Sequence, residues 1–207
     1  MATRALQLAD IVDVRAYERE REALRSQIIA LKETRRVAGG PVISVVFENR
    51  DTIRFQVQEL ARAERAVTDD AVSELLATYN ALIPEPGHLS ATLFIELTSR
   101  EEMERWLPKL VGVEESLRFE ITQPGEGSAS AVVRGETEAT HAAQLTRAEV
   151  TAAVHFVYFE FTPEQVELVR TGNVALAVEH PAYPERTELP AATKASLLRD
   201  LELDLDL

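Results

Sequence analysis

The sequence predicts an α+β fold, with a mainly antiparallel sheet covered by several helices and a long helix at the N-terminus. Three observations support this fold class. Charged segments with helical apolar spacing are mixed with short β-branched runs, their order is not a regular βαβ alternation, and no internal repeat is evident. The 207 residues suit one α+β domain spanning 1–207, because domains commonly hold roughly 100–200 residues. Residues 123–146 are the candidate for a flexible loop.

The long helix is predicted near the start of the chain. Asp10 or Asp13 can cap it, and apolar residues then recur at helical spacing as far as Leu31. We expect Gly39, Gly40 and Pro41 to stop it.

The stretch from Asp51 to Ala66 follows a β-branched run, PVISVVFEN, that reads as a strand. As a second strand, Ile53–Gln58 would form a hairpin with the first. As a helix capped by Asp51 or Thr52, the stretch would pack one apolar face and leave one polar face. The strong helix formers after Gln58 favour the helix.

The remaining elements follow from capping residues, prolines and apolar runs. Capped helices are predicted after Thr68, Ser99, Thr146 and Thr162, with Pro84 and Pro108 ending the first two. Strands are predicted at HLSATLFIELT, SLRFEIT, SASAVVRGE, the run ending at Phe161, and NVALAV, which leads into a Pro-rich turn over 179–188. A final helix closes the chain.

The composition disfavours several classes of function. A net charge of −13 repels nucleic acid and anionic membrane surfaces, so neither is an expected partner. No segment resembles a signal peptide or a membrane span, which favours a cytoplasmic protein. The absence of cysteine removes thiol nucleophiles, zinc–thiolate sites and cysteine-held iron–sulfur clusters.

Motifs with a known reaction are lacking. The sequence has no Gly-rich phosphate loop and no nucleophile elbow. Glu138 and His141 have Glu-x-x-His spacing, but this motif occurs once, whereas a dinuclear site needs two. His155 lies in a strand that is apolar on both faces and is better explained as a hydrogen-bonded core histidine. We therefore expect no metal site and no cofactor.

Two segments carry candidate binding residues for an anionic ligand or an acidic partner. The 51–66 helix would present a polar stripe, and the Pro-rich turn would add a second cluster, because guanidinium groups bind carboxylates bidentately. Solvated or structural roles are the competing interpretation for both. The candidates are Arg54, Gln58, Arg62 and Arg65 on the helix and His180, Tyr183 and Arg186 on the turn. If the two sets converge, they form a positive island on an acidic protein.

The stretches ENRDTIRFQVQELARAER, YNALIPEPGHLSATLFIEL, WLPKLVG, TAAVHFVYFEFTPEQV and EHPAYPERTEL together resemble a bacterial family known only as a domain of unknown function. The resemblance covers nearly the whole chain. Members of that family are often encoded beside rubrerythrin-like proteins and iron–sulfur oxidoreductases. The resemblance therefore implies an accessory role in a redox or peroxide-stress system, and it implies no catalytic residues.

Two hypotheses follow. The first is an accessory protein that docks onto a redox enzyme, such as a rubrerythrin-like or iron–sulfur protein. The alternative is a small-molecule-binding enzyme whose Arg/His/Tyr site joins the helix to the turn. A homodimer paired through the long N-terminal helix is compatible with either hypothesis.

Overall fold

The computed structural model describes residues 4–125, 130–137 and 150–202. These residues form an α+β fold with two antiparallel four-stranded sheets. The helices are α1 Val14–Glu33, α2 Arg50–Ala63, α3 Asp69–Tyr79, α4 Arg100–Trp106, α5 Pro163–Thr171 and α6 Ala191–Glu202. The strands are β1 Arg36–Ala38, β2 Ile43–Glu48, β3 His88–Ile95, β4 Leu117–Thr122, β5 Ser130–Arg134, β6 Val154–Glu160, β7 Asn173–His180 and β8 Tyr183–Glu188. The predicted fold class is confirmed.

The two sheets pack face to face. The first has the order β1-β2-β3-β6 and the second β5-β4-β7-β8. Phe47 and Phe159 of the first sheet meet Phe119 of the second, with ring centroids 5.5 and 4.8 Å from Phe119. These rings lie in the main apolar core, so each sheet has one inner face and one outer face.

The outer faces of the two sheets are covered differently. A second apolar cluster joins Ile53 and Val57 of α2 and Leu76 of α3 to Phe156 and Tyr158 of β6. Helices α2 and α3 therefore cover the outer face of the first sheet. The outer face of the second sheet instead carries paired arginines and glutamates, described below.

Helix α2 confirms the helical interpretation of the 51–66 stretch. Its cap differs from the expected one, because the Asn49 side chain accepts a hydrogen bond from the backbone N–H of Thr52. In turn, the Asn49 N–H donates a hydrogen bond to the Thr52 hydroxyl. Asn49 is a strong capping residue, so the helix begins one residue earlier than Asp51.

Two other expectations near the chain's turns were wrong. The long helix ends at Glu33 rather than at Gly39, because Arg36–Ala38 pairs with β2 as a strand. The stretch over 179–188 is the end of β7 and the edge strand β8, with His180 opposite Tyr183. Pro184 is tolerated there because β8 has a hydrogen-bonded neighbour on one side only. The proposed cap at Thr146 lies outside the described residues.

Candidate functional site

The polar face of α2 holds the chain's own N-terminal segment, residues 4–13. The Gln58 side chain accepts a hydrogen bond from the Val12 N–H at 3.0 Å and donates one to the Val12 carbonyl at 2.8 Å. Arg54 donates from Nε to the Asp10 carbonyl at 2.8 Å. Two of the four predicted binding residues on α2 therefore bind main chain that precedes α1.

The rest of the N-terminal segment is held in the same manner. The Asn80 side chain accepts from the Leu6 N–H at 2.8 Å and donates to its carbonyl at 3.0 Å. Arg50 donates to the Arg4 carbonyl at 3.1 Å. The Leu6 side chain is buried in the apolar cluster beneath α2 and α3. Backbone-directed contacts and one apolar anchor together fix this segment, which contains a 3₁₀ turn at Leu8–Asp10.

The other side of α2 is tied to α1 by charge. Arg62 pairs with Glu18, and Arg21 binds Glu59 through two hydrogen bonds of 2.8 Å. The buried Tyr17 hydroxyl donates to the same carboxylate at 2.5 Å. Hydrogen bonding to Arg21, opposed by partial burial, lowers the pKa of Glu59 to about 2. Burial and the Glu59 carboxylate raise the pKa of Tyr17.

An apolar groove of about 330 Å³, here called the N-terminal groove, opens beside the N-terminal segment. Its apolar lining comes from the segment itself, the end of α2 and the start of α3, and includes Leu8, Ile11, Val12, Ala61, Val67 and Val72. Val67 is 81% exposed, and Leu8 and Val12 are 40% and 37% exposed. Asp13, Asp69 and Arg15 supply its charges. This is the candidate site, because exposed apolar side chains grouped in a groove are typical of interaction surfaces.

Arg65 stands at the C-terminal end of α2, next to this groove. It has a φ of 55°, the left-handed region that side chains rarely adopt. The Ala66 N–H bonds to the Ala61 carbonyl at 2.8 Å, and the Arg65 N–H bonds to the Arg62 carbonyl at 3.3 Å. These bonds form the usual end of a helix that reverses direction, a position in which glycine is preferred. The geometry gives Arg65 a role in the turn that leads into Val67.

The three candidates from the second segment lie on the second sheet. His180 is buried, with Nε2 3.1 Å from the Val111 carbonyl. Tyr183 is buried in the main core, and its hydroxyl accepts from the Val42 N–H at 3.0 Å. Both residues join neighbouring pieces of backbone, which is a structural role.

Arg186 lies on the outer face of the second sheet. Its Nε donates to Glu120 at 2.9 Å, and Arg118 binds the other oxygen of Glu120 at 2.7 Å. Arg118 also pairs with Glu179. Hydrogen bonds from Arg118, and to a smaller extent from Arg186, hold the pKa of Glu120 below its usual range. The charge of Arg186 is thus shared with glutamates of its own sheet.

The two candidate sets do not converge. Helix α2 covers the outer face of the first sheet, whereas Arg186 projects from the outer face of the second, with the main core between them. The condition for a combined Arg/His/Tyr island is therefore not met. The reason is that residues 179–188 belong to strands β7 and β8 of the second sheet, whereas convergence would require them to form a loop near α2.

Of the described histidines, His88 lies near a carboxylate, with its Nε2 4.0 Å from Glu160. His155 is buried, and its Nε2 lies 2.8 Å from the Thr151 hydroxyl, as expected for a core histidine. Within residues 4–125, 130–137 and 150–202, no group of three or more histidines and carboxylates is arranged to hold a metal. Glu138 and His141 lie outside the described residues.

Sequence reasoning missed the residues that line the groove. Leu8 and Val67 lie outside the predicted elements, and Val12 lies between Asp10 and Asp13, the two possible caps of the long helix, where isolated apolar residues give no periodic signal. The exposed valine in the short connection between two capped helices, Val67, was the one available sign. Asn80 was also missed, because a side-chain amide that binds distant main chain has no local pattern.

A family model described as "Protein of unknown function (DUF3501)" matches residues 5–201. The chain belongs to the DUF3501 family. A bacterial domain-of-unknown-function family was therefore the correct identification, and the match covers nearly the whole chain.

A solved structure resembles this DUF3501 protein along almost all of its length. It is a crystal structure of a novel protein of unknown function from Burkholderia pseudomallei K96243, with 28% sequence identity and a TM-score of 0.84. The alignment covers 95% of this chain and 99% of that chain. No curated protein matches the sequence. Among the described helices, none is long and apolar enough to cross a membrane.

Proposed function

We propose that this DUF3501 protein is an accessory protein that docks onto a partner enzyme through the N-terminal groove. The exposed apolar cluster of Leu8, Val12 and Val67 supports the proposal most directly. Large apolar side chains in a rigid groove lose contact with water when a partner covers them. The occupant is an apolar surface segment of the partner.

Rigidity of the groove supports docking. Its outer wall is the N-terminal segment, which Gln58 and Arg54 hold by its main chain. A wall fixed by these hydrogen bonds needs no ordering when a partner binds, so more of the interaction energy appears as affinity. The predicted polar residues of α2 thus contribute to docking by building the groove, and they do not touch the partner themselves.

The finer assignment is the class of partner. We propose a cytoplasmic redox enzyme, a rubrerythrin-like or iron–sulfur protein, on the strength of the family resemblance. In this role the chain supplies a surface and no cofactor. The alternative of an anionic-ligand enzyme required His180, Tyr183 and Arg186 to meet α2, and the two sheets separate them.

A pull-down from the protein's own cells tests both the docking through the N-terminal groove and the class of partner. Tagged full-length protein is compared with Val67→Lys, which places a charge in the groove, and with Val132→Lys, which alters a valine that is 50% exposed on β5. We expect wild type and Val132→Lys to retain an iron-containing partner, and Val67→Lys to retain about tenfold less. Mass spectrometry identifies the partner, and elemental analysis measures its iron.

Equal recovery of the same proteins by all three versions would rule out the groove as the docking site. A specific partner that contains no iron and no other redox centre would leave docking intact and refute the redox assignment.

A further inference from the structure

A second groove, here called the C-terminal groove, has a volume of about 440 Å³ and shares no lining residue with the first. It lies between the loop before β3, the start of α5 and the end of α6. Its apolar lining consists of Pro86, Phe161, Pro163, Val166 and Leu201. Phe161, Val166 and Leu201 also belong to the main core, so the floor of the groove is part of the packed interior.

Main-chain hydrogen bonds hold the walls of this groove together. The Gly87 N–H donates to the Leu201 carbonyl at 3.1 Å, and the Phe161 N–H donates to the Gly87 carbonyl at 2.8 Å. Gly87 has a φ of +74°, and a Cβ there would lie 3.3 Å from the Phe161 carbonyl oxygen. Glycine therefore permits the close approach of the three walls, and the groove is preformed.

The charges around the C-terminal groove are mostly negative. Arg170 is the cation of its lining, and it pairs with Glu167 at 2.9 Å and with Glu202 at 2.8 Å. Three further exposed carboxylates are chain neighbours of lining residues, namely Glu85, Glu160 and Glu164. Glu160 lies 4.0 Å from Nε2 of His88, whose Nδ1 lies 2.9 Å from the carbonyl of the lining residue Pro86. In or next to the lining there are thus five carboxylates, two of them paired with Arg170. The N-terminal groove differs, since Arg15 stands in its lining beside Asp13 and Asp69.

The acidic rim, here defined as Glu85, Glu160, Glu164 and Glu167, is exposed to solvent. Glu160 has a side chain that is 83% exposed, and Glu164 is also exposed. Hydrogen bonding to its own backbone N–H and to Thr162 lowers the pKa of Glu164. A concave apolar floor beneath carboxylates complements a ligand that combines an apolar side chain with a neighbouring cation.

We propose that the C-terminal groove binds a short cationic and apolar segment of a partner protein. The segment seats a large apolar side chain against Phe161, Val166 and Leu201 and places a lysine or arginine over the acidic rim. This site is independent of the N-terminal groove. The chain then has two separate binding grooves, which allows both to be occupied at the same time.

The test uses the full-length protein and two synthetic peptides. Acetyl-GLKFKG-amide carries two lysines beside apolar residues, and acetyl-GLEFEG-amide has the same apolar residues with the opposite charge. Binding is followed by NMR through backbone amide shifts of Gly87, Val166 and Glu167. We expect the lysine peptide to shift these amides and to weaken with added salt, because exposed charge pairs are screened. The glutamate peptide is expected to leave them unchanged at the same concentration.

Variants then test separately the charged contacts of the rim and the apolar contacts of the floor. Glu160→Gln with Glu164→Gln removes rim charge and is expected to weaken the lysine peptide about threefold or more. Pro163→Trp, at an exposed lining position, is expected to block the floor and abolish the shifts. Glu20→Gln with Glu101→Gln is the matched control, since it removes two exposed carboxylates of α1 and α4 and should bind as wild type.

Several results would overturn the proposal. They are equal binding of both peptides, no binding of either, or equal loss in the Glu160/Glu164 variant and in the Glu20/Glu101 control. Pentylammonium shifting the same amides at the same concentration as the lysine peptide would assign the groove to a small amine and overturn the partner-segment assignment.

Discussion

Gln58 binds both the N–H and the carbonyl of Val12, at 3.0 and 2.8 Å, so one side-chain amide takes the place of a neighbouring strand. Gln58 is 2% exposed. The pairing connects the polar face of α2 to the wall of the proposed docking groove. The shape of the groove therefore depends on Gln58, although Gln58 is not one of its lining residues.

Gln58→Ala is expected to lower the free energy of unfolding by about 1–3 kcal/mol, because it leaves two main-chain groups of Val12 without their partner. Amide exchange at Val12 should accelerate more than exchange in the central strands. Gln27→Ala, on the exposed side of α1, is the control and should change stability by about 0.5 kcal/mol or less. Unchanged exchange at Val12 in Gln58→Ala would contradict the role of this pairing.

The carboxylate of Glu59 is expected to titrate with a pKa of about 2 in the folded protein, below the ordinary glutamate value. A lowered folded-state pKa stabilises the protein above the ordinary pKa of about 4.3, and this contribution is lost as the pH falls towards about 2. Glu59→Gln should therefore be less stable than wild type at pH 7, and the gap should narrow at pH 3.

Urea unfolding of both proteins at pH 7, 4 and 3 measures this gap. Glu20→Gln, an exposed change on α1, is the control and should show no such narrowing. A gap between Glu59→Gln and wild type that stays constant with pH would show that the ion pair with Arg21 does not lower the pKa.

Removing the partner of the buried Arg35 should be among the most damaging single changes. Arg35 is 1% exposed and binds Asp200 at 2.5 Å, Ser196 at 3.1 Å and the Phe47 carbonyl at 2.7 Å. Asp200→Ala leaves this guanidinium without a counterion and should cost about 3–5 kcal/mol. Glu104→Ala, which breaks an exposed pair with Arg100, should cost about 0.5 kcal/mol or less.

Thermal and urea unfolding measure both changes. The double change Arg35→Met with Asp200→Leu is expected to be less destabilising than Asp200→Ala, since it removes the buried charge together with its partner. Similar losses for Asp200→Ala and Glu104→Ala would refute the importance of the buried pair.

Arg65→Gly is expected to raise the free energy of unfolding by about 0.5–1 kcal/mol, because glycine adopts the left-handed conformation without a Cβ clash. Glu64→Gly, at the preceding residue with a φ of −86°, should instead destabilise. Differential scanning calorimetry of the two variants measures the difference. A lower melting temperature for Arg65→Gly than for Glu64→Gly would show that the Arg65 side chain makes a stabilising contact.

Much of the fold could be predicted because it depends on local chemistry. The helix of the 51–66 stretch, the capping boxes at Ser99 and Thr162, and the strands at 117–122 and 130–134 follow from residues near in sequence. The end of α1 could not be predicted, since pairing of Arg36–Ala38 with β2 competes with helix propensity and involves a partner strand further along the chain.

The candidate site shows the same division more sharply. The sequence by itself determined that α2 has a polar face able to bind peptide groups and carboxylates, and that the chain belongs with an α+β family. Only the tertiary structure decided what that face binds, which is the chain's own segment at Asp10 and Val12. It also decided that Arg186 lies on the other sheet, because the distance between residues far apart in sequence is set by sheet pairing and core packing.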